Sequence, residues 1–227
     1  MRCRFRSWIG PALAGLRLYW PVLLGLQGAA IGIALLYWTV PAFAARADHL
    51  GVMKERAGLW FVVVAGILSG AMLPELLKAC LRPPGYHRPT IADLAHLCGL
   101  IGLLTVAVDG FYRLQGWWLG EGTEWWRVVA KVAVDQLGFA LFVAVPTIVL
   151  AFEWRARGYS LRQLRRVMDR RFFLDRVPPL YVPNVMVWAP ALLGLYALPT
   201  GLQFLVFLMI NATWCVLMVF IARRQAG

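Results

Sequence analysis

Three observations predict an all-α fold, a polytopic helical membrane bundle of about six transmembrane helices with one amphipathic helix on its surface. The chain of 227 residues is 61% hydrophobic and 15% charged, whereas about a quarter of the residues in a soluble domain are charged. Its apolar residues gather in runs of roughly 20, the length that crosses a hydrocarbon core. Its Arg residues collect on alternate connections between those runs, as they do on cytoplasm-facing loops.

The first run, 16–45, follows the basic start "MRCRFRSWIGPALAGLR". That start is free of acids, as an organellar targeting segment is, but it is poor in Ser and runs directly into a span, so it is expected to be a basic inner flank. Residues 1–56 form an additional N-terminal span and loop, and 57–227 form the main bundle. Within the main bundle, runs occupy 57–81, 91–117 and 124–152. Residues 183–198 and 201–222 form one apolar stretch of about 40 residues, enough to cross twice. "LPTG" at 198–201 is the place to turn, because Pro and Gly break helices. A four-span count with a re-entrant end is the alternative.

One set of faces holds Arg2, Arg4 and Arg6, then Arg82 and Arg88, then eight Arg between 155 and 176, then Arg223 and Arg224. The opposite faces hold Arg46, Lys54 and Arg56, and "LGEGTE" holds no basic residue. Both termini are therefore expected on the cytoplasmic side. The formal charge of +12 is then topological, and no nucleic-acid partner is expected. Cys3, Cys80, Cys98 and Cys215 have no pair spacing and are expected to be packing thiols. Between 153 and 182 the chain leaves the membrane. There Ser160 and Gln163 have capping-box spacing, and Leu161, Leu164, Val167 and Met168 share one face of a helix over 160–174. Arg162, Arg165 and Arg166 fall on its other face, so the helix anchors topology, binds anionic lipid head groups or forms a partner site.

Ionisable residues inside spans are costly and usually face a bundle interior or a water-filled cavity. At about 1.5 Å per residue, Asp109 lies roughly 12 Å in from the outer end of its span, and Lys131 and Asp135 about 10 and 16 Å in. Arg113 is one turn from Asp109, and Arg127, Lys131 and Asp135 form a stripe on one helix face, with Gln136 beside it. Nearer the inside, Glu75 and Lys78 are expected opposite Asp93 and His96. Several of these have simpler explanations. Thr90 and Asp93 have capping-box spacing, Glu75 and Lys78 can neutralise each other, and Lys78 is near enough to the surface to snorkel. Lys131 and Asp135 can form an intrahelical ion pair, although this leaves Gln136 and Asp109 unexplained at the same level. Structural network and solute pathway both remain open. His96 has no second ligand at metal spacing, so no metal is expected.

"KVAVDQLGFA" at 131–140 resembles the K-x-x-x-D-Q-x-x-F-A-P signature of the Mpv-seventeen family, which includes the twenty-two-kilodalton peroxisomal membrane protein. "AGILSG" at 65–70 resembles that family's A-G-x-L-x-G, "DGFYRL" at 109–114 its H-x-W-Y, and "NVMVWAP" at 184–190 its N-x-x-V-W-P-P. "YALP" and Trp214 fall near its V-P and W-N positions. Asp109 stands in place of the family's His, Leu141 and Leu73 replace a Pro and an Asp, and Cys215 replaces an Asn. The resemblance implies an integral protein of organelle or bacterial membranes that forms a channel for small solutes, with no enzymatic activity and no cofactor. A membrane enzyme would need a paired-carboxylate motif or His clusters, and "DG" at 109 stands without the rest. The leading expectation is a small-solute permeation protein, with a structural or lipid-interacting membrane protein as the alternative. A bacterial inner membrane is favoured over an inner mitochondrial or peroxisomal one, and a homo-oligomer is compatible with the sequence.

Overall fold

The computed structural model describes residues 24–25, 28–29, 31–33, 35–82, 86–120, 124–196 and 206–215. The basic start, part of the first apolar run, the turn at 198–201 and Arg223 and Arg224 lie outside the described residues. Every element among the described residues is helical. In chain order we name α1 (Pro41–Ile67), α2 (Leu73–Leu81), α3 (Ile91–Leu119), α4 (Trp125–Val134), α5 (Val145–Ala156), α6 (Leu161–Val167), α7 (Arg170–Tyr196) and α8 (Val206–Cys215). Wider π-helical turns join α1 to α2 over Leu68–Met72 and α4 to α5 over Asp135–Ala144.

Three helical stretches are long and apolar enough to cross a membrane: Arg56–Cys80, Ile91–Leu119 and Trp125–Ala156. Only 11% of the most apolar window of α3 is buried against protein, so most of its hydrocarbon surface faces outward. In water such a surface would be an aggregation hazard; in lipid it is the expected state. These stretches match the runs at 57–81, 91–117 and 124–152 to within a few residues. Trp117, Trp118, Trp125 and Trp126 flank the hairpin between α3 and α4, all exposed, as aromatic belts at a membrane interface are.

Two connections differ from expectation. Residues 46–56 are not a loop. They continue α1, which bends at Gly58, whose φ of 60° and ψ of −143° are open to a residue without a side chain. The surface helix expected over 160–174 is two helices, with the break at Met168 and Asp169. Ser160 caps α6 through Gln163, as its spacing predicts. The Asp169 carboxylate accepts the Phe172 amide at 2.6 Å and restarts the helix as α7. Of the apolar face on α6 only Leu164 is buried, while Leu161 and Met168 stay exposed. α7 then runs unbroken across Pro178, Pro179 and Pro190 to Tyr196, joining sequence assigned to the surface with sequence assigned to a span.

Both π turns end next to a proline inside a span, Pro74 and Pro146. A proline has no N–H to donate and its ring presses on the carbonyl four residues back. Widening the turn preceding it relieves that pressure and gives the carbonyl another donor.

Helix packing rests on small residues. α1 and the first π turn lie against α3, where Gly66 and Gly70 form a G-x-x-x-G step. A Cβ at Gly66 would collide with the Thr105 side chain, and one at Gly70 would sit 2.8 Å from Asn211 Nδ2. Val145, Ile148 and Val149 of α5 pack with Val177 and Leu180 of α7 and with Trp214 of α8. Val132, Leu192, Leu195 and Ile210 form a second apolar cluster. We expect Gly66→Val to lower stability by about 1–3 kcal/mol through overpacking, whereas Gly99→Ala, which meets open space, is neutral. Thermal unfolding of the two variants in one detergent checks the contrast.

Candidate functional site

The site begins with the turn geometry. The π segment that relieves Pro146 starts at Asp135, and its wider turn places Asp135, Gln136, Phe139 and Ala140 on the buried side together. Gln136 is the hub. Its Nε2 donates to Asp135 Oδ1 at 2.8 Å, and its Oε1 accepts from Asn184 Nδ2 at 3.1 Å. Its backbone carbonyl accepts from the Tyr181 hydroxyl at 3.1 Å. One residue thereby fixes a carboxylate on its own helix and docks α7 by two further bonds. Fixing the amide in this way also dictates its orientation, oxygen toward Asn184 and nitrogen toward Asp135.

A cavity of about 110 Å³ opens beside this hub. Its walls are one face of α3, from Leu97 to Tyr112, the facing side of the π segment and α5, from Asp135 to Phe152, and parts of α7 and α8, with Trp188 and Trp214 among them. Lining residues on α3 recur at 97, 100, 101, 104, 105, 108 and 112, which is a single helical stripe and covers about 22 Å of axis. The wall is polar where Tyr112, Asp135, Gln136 and Asn184 meet, and chiefly hydrocarbon beyond it, with Thr105 and Asn211 as the main exceptions. Asn211 donates to Ser69 Oγ at 3.2 Å, and Ser69 donates to the Gly66 carbonyl at 3.2 Å, tying α8 to the first π turn.

The other predicted residues lie around this cavity. Lys131 is buried, with its ammonium 5.7 Å from the Tyr196 ring centroid and its backbone carbonyl accepting Gln115 Nε2 at 2.7 Å. Tyr196 in turn donates to Gln115 Oε1 at 3.2 Å, so a second polar group joins α3, α4 and α7 just outside the hub. Asp109 is buried and pairs with Arg113 at 2.8 Å, while the Arg113 side chain is 70% exposed. Their helix places Val108 and Tyr112, not Asp109, on the cavity wall. Arg127 lies 3.4 Å from Glu124 and over the Trp126 ring at 5.1 Å, at the belt rather than in the cavity.

Glu75 and Lys78 form an ion pair within α2. Lys78 is 2% exposed, so it does not snorkel to the surface. The ion pair compensates its charge where it stands, and Glu75 Oε2 is buried without a hydrogen-bond partner. Thr90 and Asp93 complete the expected capping box through bonds of 2.9 and 3.2 Å. Asp93 does more than cap: its carboxylate also pairs with Arg155 at the end of α5, closing that end of the α3–α5 contact. His96 packs its ring 6.0 Å from Phe152 and 5.6 Å from Tyr159, and Tyr159 meets Trp154 at 5.1 Å. Because Phe152 also lines the cavity, this aromatic group forms the end of it away from Asp135. Tyr159 holds a left-handed φ of 61°, a strained value for a side chain of that size.

Asn184, Tyr181, Gln115, Asn211 and Ser69 escaped the sequence reading of the site. Asn184 and Gln115 carried a usable signal, a lone amide within an apolar segment, where the cost of leaving it unpaired demands a partner. Among the described residues no group of three or more His, Cys, Asp or Glu is placed to hold a metal. Comparison with protein-family models, curated proteins and solved structures finds no match.

Gln136→Leu removes the donor to Asp135 and the acceptor of Asn184 together. We expect it to destabilise the protein by about 2–4 kcal/mol, and Asn184→Leu by less, because it leaves Asp135 bonded. Unfolding midpoints of the two variants test this order; equal losses would contradict the hub assignment.

Proposed function

We propose that this chain is a small-solute permeation protein, a distant relative of the Mpv-seventeen family, acting in a membrane without enzymatic chemistry. The reading rests on one observation above the others: a cavity next to the buried Asp135, Gln136 and Asn184, walled by helices long and apolar enough to cross a membrane. Lipid alone does not call for polar groups at that depth, and a buried carboxylate is retained there at a cost of at least about 2.5 kcal/mol before compensation. A solute that sheds water to cross would meet replacement hydrogen bonds at that point.

In this proposal six crossings place both termini in the cytoplasm, with the short apolar helices Asn184–Tyr196 and Val206–Cys215 belonging to the last two. The membrane is a bacterial inner membrane, and the assembly is a homo-oligomer. Exposed Arg162, Arg165 and Arg166 on α6 rest on anionic head groups, which attract such residues at about 1 kcal/mol each near the surface. A second reading, a structural or lipid-interacting membrane protein, is favoured by the Glu75–Lys78 and Asp109–Arg113 pairs, which satisfy themselves within single helices.

Reconstituted vesicles distinguish the two. Under the permeation reading, Asp135→Asn keeps the fold, because Gln136 can still bond the new amide, but changes solute flux or selectivity at least several-fold in a light-scattering swelling assay or in planar-bilayer conductance. Wild-type flux no higher than that of empty vesicles would rule the permeation reading out. For topology, a reporter fused after residue 227 is expected to be active only in the cytoplasm, and activity only on the far side would overturn the six-span arrangement.

A further inference from the structure

The chemistry of the cavity wall is lopsided. One end offers the Asp135 carboxylate, the Asn184 amide and the Tyr112 ring, and the remainder is dominated by Leu100, Leu104, Ile148 and similar side chains. An ion or a sugar would gain bonds at the polar end and lose its hydration along the apolar part without replacement. A pure hydrocarbon would fit the apolar part and leave the polar end unpaired. An occupant that satisfies both ends has a short hydrocarbon portion and one polar head.

The hydrogen-bond inventory decides the head. Gln136 spends one N–H on Asp135 and one lone pair on Asn184, which orients its amide and leaves one N–H and one lone pair over. Of the groups at that end, the Asp135 carboxylate is the one that only accepts, and its Oδ1 takes the Gln136 bond, whereas the Asn184 and Gln136 amides and the Tyr112 hydroxyl can both donate and accept. Acceptors call for a donor, and the carboxylate disfavours an anion. Size is set by volume. An apolar cavity of about 150 Å³ holds benzene, with its six heavy atoms, so about 110 Å³ corresponds to roughly four or five.

We propose that the cavity is a binding site for a small uncharged amphiphile, of about five heavy atoms, whose hydroxyl or amide N–H donates to the Asp135–Asn184 end while its alkyl portion lies between α3 and α5. The proposal rests on the permeation reading for its biological role, since it names the class of solute that would pass, but the binding itself does not depend on transport.

Two isomers isolate the claim. 1-Butanol and diethyl ether contain the same five heavy atoms, and only the alcohol can donate. With the full chain in nanodiscs and empty nanodiscs subtracted, calorimetric titration is expected to show the alcohol bound at least tenfold more tightly, the factor that about 1.4 kcal/mol confers. Within the alcohols, affinity should rise about fourfold per methylene up to 1-butanol and then level off as the cavity fills. Ala144→Phe and the milder Leu104→Phe should each weaken 1-butanol by tenfold or more. Equal affinities for alcohol and ether in the wild-type protein would overturn the assignment whether or not the variants fold. A gain that continues through 1-octanol would overturn the size limit and point to a lipid chain instead. Binding that behaves as stated in a protein without flux leaves the site standing and removes the permeation reading. Flux without the alcohol preference does the reverse.

Discussion

Hydrocarbon offers a backbone amide no water to fall back on, and this chain places prolines at 74 and 146 inside two of its spans. Each leaves a carbonyl without its normal donor, and each is preceded by a π turn that takes up the mismatch. The consequence reaches past the backbone. Widening the turn rotates the residues before it, so that Ser69 and Gly70 in one span and Asp135, Gln136 and Phe139 in the other come together on buried faces. Two of the polar ties that hold α7 and α8, at Gln136 and at Ser69, sit on these turns. Architecture and site thus descend from the same two missing N–H groups.

α3 is asymmetric for a related reason. Toward α1 it is packed to the limit, with Gly66 against Thr105, and Gly102 in contact with Ile67. On its stripe from Leu97 to Tyr112 it leaves a void. A helix pinned tightly on one side can carry an unfilled face on another without collapsing into it, since collapse would require the glycine contacts to open. Close packing at Gly66 and Gly70 therefore preserves the cavity without lining it.

The three spans and the capping box at Thr90 were legible because they are local: run length and a three-residue spacing suffice. The inward placement of Lys131, Asp135 and Gln136 was legible because water is absent where they sit. The partners were not. Asn184 lies 48 residues from Gln136, Arg155 lies 62 from Asp93, and no periodicity connects positions so far apart. The boundary between the segment assigned outside the membrane, 153–182, and the run at 183–198 is not one of helix structure: α7 continues through Pro178, Pro179 and Pro190, because neighbouring helices can supply what the missing N–H groups do not. Asp109 was matched to Lys131 by depth alone, and depth does not determine the helix face on which a residue sits.

Glu75 and Lys78 face each other one turn apart on a single helix, and this bears on how the protein is made. A segment entering the bilayer from the ribosome crosses before its neighbours exist, so any charge whose partner lies on a later helix enters exposed. Here the two charges are joined as soon as α2 coils, and the segment enters with its charge already cancelled. Asn211, which ties α8 to Ser69, belongs to a helix synthesised long afterwards. Within the apolar stretches the order of synthesis thus matches the division of labour: Glu75 and Lys78 settle their charge within a helix early, and uncharged amides and hydroxyls, cheaper to leave waiting in lipid, join the helices late, while the charged Asp93–Arg155 tie lies at helix ends.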